Sequence, residues 1–217
     1  MLVIHRVGLL LPGADREPVP GGAVLVEGRT VAAVGPYEKL AAASPGARVR
    51  DWPGVLTPGL RNPYGPELLE QAYHPDPREA GALGTEPLTG EALAALEMPE
   101  ARWGASARRG VQRLLAHGTV AVAGELRREA VRDAVTRTGL RIEPRYEQPP
   151  GPPTLDPFAG NRPAGEVFMR PLTEGTPADF AIFAMPPEDA PYPTLPTHAA
   201  TTCIATVISG RLLHRRR

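Results

Sequence analysis

The sequence predicts a mixed α+β fold, and three observations carry that prediction. Stretches 23–35 and 204–213 each read as two apolar runs joined by a tight turn, while 100–143 reads as helix, strand, helix, strand. β-Hairpins near both chain ends with α/β layering between them define the class.

Residues 1–60 are β-rich. In the first hairpin Val24, Val26, Val31 and Ala33 alternate with Leu25, Glu27, Thr30 and Ala32, and Glu27-Gly28-Arg29 makes the turn. A short helix is predicted over Tyr37–Ala43, ahead of Ser44-Pro45-Gly46. Residues 66–98 are irregular with short helical pieces. Pro66 opens one, as first turns tolerate, and Thr89 is placed to cap Glu91–Glu97, which stops at Pro99.

The most regular part is 100–143. Trp103, Ala107, Val111, Leu114 and Leu115 share one helical face, and His117-Gly118 marks the helix end. Thr119–Ala123 is an apolar run suited to a buried parallel strand. A second helix buries Leu126, Ala130, Val131, Ala134 and Val135, with Glu125 and Glu129 in its first turns. Gly139 ends it and Leu140-Arg141-Ile142 begins another strand. From Pro144 to Glu166 prolines crowd without periodicity, predicting an extended linker. Phe180–Phe183 is a short buried strand, and Ile204–Ile208 with Arg211-Leu212-Leu213 forms the last hairpin.

Composition bounds the function. The 217 residues carry no formal net charge, so electrostatics gives no case for nucleic acid or an anionic membrane as partner. The single cysteine, Cys203, excludes an internal disulfide and sits in an apolar setting fit for the core. No apolar run approaches the ~20 residues of a membrane span, and the start alternates and quickly meets charge, so a cytoplasmic location is expected. The 27 prolines and 23 glycines are many for a folded chain.

Four stretches resemble amidohydrolases, the metal-dependent hydrolases that include imidazolonepropionases and aminodeoxyfutalosine-type deaminases. Ala23–Gly35 is similar to their opening hairpin, Gly175–Phe183 to the "G-x-x-ADlvvfd" strand, and Thr206–Arg215 to the closing hairpin. Val55–Pro66 resembles the segment leading into the first barrel strand, where "PGL-x-N" precedes a His-x-His metal pair; here the two histidine positions hold Tyr64 and Pro66. A phenol is a poor substitute for imidazole, and proline has no side-chain donor atom. The resemblance implies a composite β-sandwich formed from the N- and C-terminal strands (1–60 and 167–217). It also implies a two-unit βα remnant of a TIM-like barrel over 61–143, with 144–166 as the proline-rich linker. A full barrel needs roughly 250 residues, so most of it must be missing.

The five histidines, His5, His74, His117, His198 and His214, show no ligand spacing. No metal site and no cofactor are expected, zinc entering only if the chain is an active enzyme. Candidate ligand-binding residues are Asn62 and Tyr64 on the floor of the lost metal site, His74 in a loop, and Glu125 after the 119–123 strand. The bland readings are a turn residue for Asn62 and a helix N-terminal charge for Glu125. Arginines 127, 128, 132, 137, 141 and 145 read as a solvated face, and Arg215–Arg217 as a basic tail. The expectation is an amidohydrolase-related protein that has lost metal-dependent catalysis and acts as a structural or interaction module. A homo-oligomer or protein partner would cover the exposed inner faces of the barrel remnant. The alternatives are a hydrolase acting on non-peptide carbon–nitrogen bonds of small nitrogen heterocycles, and a small-molecule binder using the barrel mouth.

Overall fold

The computed structural model describes residues 1–186, 191–198 and 200–216. The chain begins with β1 (Leu2–Arg6), β2 (Leu9–Leu10), β3 (Val19–Pro20), β4 (Gly22–Glu27), β5 (Thr30–Pro36), α1 (Tyr37–Ala43), β6 (Arg48–Asp51), β7 (Val55–Pro58) and β8 (Leu60–Asn62). Helices α2 (Gly65–Leu69), α3 (Ala80–Leu83), α4 (Gly90–Ala94) and α5 (Glu100–Leu115) lead to β9 (Thr119–Ala123), α6 (Glu129–Thr138) and β10 (Arg141–Glu143). It continues through α7 (Ala164–Val167), β11 (Phe180–Phe183), α8 (Pro191–His198), β12 (Cys203–Ile208) and β13 (Arg211–Arg215). Among the described residues the fold is mixed α+β with three sheets and no closed barrel.

The first sheet runs β5-β4-β1-β6, and the second runs β13-β12-β11-β7-β2-β3. Strands from both ends of the chain thus share the second sheet, where β7 pairs Val55 with Phe183 and Pro58 with Phe180 of β11. The two sheets meet over Val24, Val26 and Val31 on one side and Leu56, Phe180, Ile182 and Val207 on the other. Leu40 of α1 joins Ile4, Ala23 and Leu25 in a separate cluster. That explains why Gly22–Val26 is buried along its whole length rather than alternating.

Among these apolar contacts lies one imidazole. His5 is 2% exposed. Its Nδ1 accepts from Trp52 Nε1 at 3.2 Å, its ring stacks on Trp52 at 6.2 Å, and it meets the Phe180 ring edge-on at 4.9 Å. Burial, helped by the charge of Arg50, pushes its pKa down to about 4.

The third sheet, β10-β9-β8, is parallel throughout. Helices α5 and α6 supply its core with Trp103, Ala107, Val111, Leu114, Leu115, Val131, Ala134 and Val135, around Val120 and Val122 of β9. Gly118 takes φ +80°, and a Cβ there would come within 2.9 Å of the Ala181 Cβ, so only glycine fits the turn into β9. Gly139 ends α6 at φ +84°. Two polar contacts bind this unit to the second sheet: Thr206 Oγ1 donates to Leu115 O at 2.6 Å, and Arg141 pairs with Asp179 at 2.7 Å.

Helix α6 begins at Glu129, later than the sequence predicts, so Glu125 and Leu126 precede it. The reason is an outside cap: the Glu70 carboxylate accepts from Arg128 N at 2.6 Å and takes the bond a further turn would use. Helix α4 is shorter than Glu91–Glu97, and the Thr89 side chain makes no cap bond. The arginines from 127 to 145 do not share one solvated face. Arg127 and Arg137 are exposed, but Arg141 and Arg145 hold carboxylates that are 11% and 10% exposed. Cys203 is buried, and burial raises its thiol pKa to about 11. Among the described residues no helix is long and apolar enough to cross a membrane. The side chain of His198 and residue Arg217 lie outside the described residues.

Candidate functional site

In parallel α/β layering, side chains after the carboxyl ends of the strands converge, and here those ends are Asn62, Ala123 and Glu143. Asn62 is fully buried at the end of β8. Its Oδ1 accepts from Tyr64 N at 2.9 Å, closing a local turn. Its Nδ2 donates to Thr154 O at 2.9 Å and to Leu155 O at 3.3 Å. Tyr64 is 2% exposed. Its hydroxyl donates to Pro150 O and accepts from Arg162 Nη2 at 2.9 Å, and the Arg162 guanidinium lies 5.1 Å from the ring centroid. Pro66 packs against Gly124, where a Cβ would come within 2.5 Å of Pro66 Cδ.

Residues 144–163 hold no helix or strand, yet they are packed over these strand ends. Their own backbone carbonyls meet the donors of Asn62 and Tyr64, and Phe158 is fully buried in the cluster that contains Leu60, Ala181 and Phe183. Prolines suit such a covering segment, since each removes a backbone N–H that would otherwise need a partner.

Of the four candidate residues, the structure brings Asn62 and Tyr64 together. His74 is 1% exposed and its partners are elsewhere. Its Nε2 bonds with Leu68 O at 2.8 Å, its backbone N–H donates to Ser106 Oγ at 2.9 Å, and its carbonyl accepts from Arg109 at 2.7 Å. Burial holds its pKa down, against the Leu68 bond and with the charges of Arg113 and Arg109. Glu125 points to solvent with its side chain 80% exposed, 3.7 Å from Arg127.

Three arginines outside the four sequence candidates stand near the strand ends. Arg61 lies within β8 and donates to Pro144 O at 3.4 Å. Arg145, just after β10, donates to Pro63 O at 3.0 Å and pairs with Glu67 at 2.8 Å. Arg162 reaches in from the covering segment. A charged residue beside Asn62, inside an otherwise apolar run, was the available signal for Arg61.

Removing the Tyr64 hydroxyl tests how tightly the segment is held. Tyr64→Phe leaves Pro150 O and Arg162 without their partner, and a loss of about 1–3 kcal/mol in denaturant unfolding is expected.

Residues 22–47, which span β4, β5 and α1, match the family model of the imidazolonepropionase-like composite domain of bacteria. No curated protein matches the chain. Among solved structures, A. niger ochratoxinase is similar with TM-score 0.45 and 20% identity, over 66% of this chain and 30% of that one. E. coli guanine deaminase is similar with TM-score 0.44 and 17% identity, over 66% and 35%. Triazine hydrolase from Arthobacter aurescens is similar with TM-score 0.45 and 18% identity, over 66% and 35%. The chain spans about a third of the length of these structures.

Proposed function

We propose that this is an amidohydrolase-related protein without metal-dependent catalysis, whose strand-end site is filled by its own proline-rich segment and which works as an interaction module. In this reading residues 1–60 and 167–217 are the composite β-sandwich, and 61–143 are the barrel remnant. The observation that carries the reading is the state of Tyr64. Its phenol stands where the resemblance places a metal-binding histidine, and the cation of Arg162 lies 2.9 Å from its oxygen.

The residues present do not fit a divalent metal. A guanidinium on the donor oxygen places positive charge where the ion's own charge would have to sit. Asn62 spends its amide on two carbonyls, and Pro66 offers no donor. No catalytic step is derived through a metal. The working surface in this reading is the free edge of the third sheet. There, among the described residues, β10 pairs with β9 alone, and Ile142 is 39% exposed. An open strand edge with an apolar side chain is a surface that a second copy or a partner protein would cover.

Calorimetric titration of the metal-stripped full chain with zinc tests this reading. Binding weaker than about 1 mM is expected, together with no deamination or ring hydrolysis of small nitrogen heterocycles. Stoichiometric zinc at micromolar affinity, or turnover above the uncatalysed rate, overturns it.

A further inference from the structure

Beside the covering segment lies an open cleft of about 550 Å³, lined by Arg61, Arg145 and Arg162 together with Tyr146, Glu147 and Glu166. That volume falls in the range of small-molecule sites, roughly 300–1,000 Å³. We propose that this cleft binds a small organic dianion through the three guanidinium groups, a site independent of the lost metal chemistry.

The argument is one of charge and constraint. Only Arg145 has a carboxylate partner, Glu67. Arg162 is bonded to the Tyr64 hydroxyl and to Pro157 O at 3.3 Å, and Arg61 to Pro144 O. These partners are uncharged, so among the described residues two of the three cations have no ion-pair partner. Glu147 and Glu166 line the same cleft, and among the described residues neither is in ion-pair contact with these arginines. The arginines are nonetheless held: Arg145 by a pair whose side chains are 17% and 10% exposed, Arg162 by a 2% exposed tyrosine. Each guanidinium carries five N–H donors, and the bonds named here use at most two on any of them. Fixed, incompletely paired guanidiniums suit the planar, bidentate recognition of a carboxylate or phosphate. Two guanidiniums with no carboxylate in ion-pair contact suit a ligand that carries two anionic groups. Tyr146, 91% exposed at the rim, offers an aromatic face to the rest of such a molecule.

The test is titration of the full chain with inorganic phosphate and with malonate, in chloride buffer at constant ionic strength, read by calorimetry and thermal shift. Saturable one-to-one binding of at least one probe at about 1 mM or tighter is expected. Arg61→Gln should weaken it about ten-fold or more, that arginine being the one with the fewest structural bonds. Arg137→Gln on the exposed face of α6 should leave it unchanged. Whichever probe binds more tightly assigns the head group as phosphate or carboxylate. No saturation by either probe overturns the proposal, as does a loss of equal size in Arg61→Gln and Arg137→Gln. Neither readout depends on zinc or turnover, so this site and the proposed loss of catalysis fail or stand separately.

Discussion

Phe180→Ala is expected to destabilise the protein by about 3–5 kcal/mol, the range for deleting a buried aromatic ring. Phe180 is fully buried, and it stands where three things meet. It heads β11 in the second sheet, it shares a cluster with Val24, Val26 and Val31 of the first, and its ring takes the edge of His5. The cavity left behind would be walled by strands of both sheets, whose hydrogen bonding resists collapse into it. Chemical denaturation of the variant would show a lower midpoint at unchanged slope. A loss under 1 kcal/mol would mean that the interface between the sheets repacks freely.

The second large effect is one of pH. His5 is neutral in the folded chain, with its pKa lowered from 6.5 to about 4 by burial and by Arg50. A base whose folded pKa is lowered binds its proton more readily when unfolded. Its contribution is therefore complete above pH 6.5 and is lost as pH falls toward 4. That window amounts to about 3 kcal/mol at pH 4. Protonation of Nδ1 would also abolish the acceptor for Trp52 Nε1. His74 and His214, both lowered by burial, act in the same direction, so the isolating measurement is a comparison. Unfolding free energies of the wild type and His5→Gln at pH 7 and pH 4 should show a pH difference smaller by about 3 kcal/mol in the variant. An equal pH difference in both would remove His5 from the account.

The elements were legible where one local signal ruled. The apolar face of α5 follows from spacing, Tyr37–Ala43 from the Ser44-Pro45-Gly46 stop, β9 from its apolar run, and the terminal hairpins from tight turns between apolar runs. Strands β2 and β3 did not announce themselves, being two residues each and held by pairing with β7 and with each other. The start of α6 depended on Glu70, far away in sequence. Of the candidate site, the positions of Asn62 and Tyr64 stand out in the sequence beside the resembled motif. What bonds them does not. The carbonyls of Pro150, Thr154 and Leu155 carry no side-chain signature, and a run of prolines reads the same whether it spans open solvent or lies packed against a sheet. In sequence Arg145 reads as one more surface charge, because nothing local shows that Glu67 stands opposite it at 2.8 Å.

The second sheet has a consequence for the order in which the chain acquires its structure. Strand β7 ends its wait for an antiparallel neighbour only when position 183 can reach position 55, and closing so long a loop is slow compared with forming nearby helices. The 100–143 unit, whose main internal contacts join helices and strands at most two elements apart, can nucleate earlier. During synthesis β7 would spend that interval with β2 as its one neighbour and its other edge uncovered, a period of aggregation risk that ends on arrival of β11. The same pairing implies that a single backbone cut within 144–163 would leave two fragments still joined through β7 and β11, able to reassociate as a split protein.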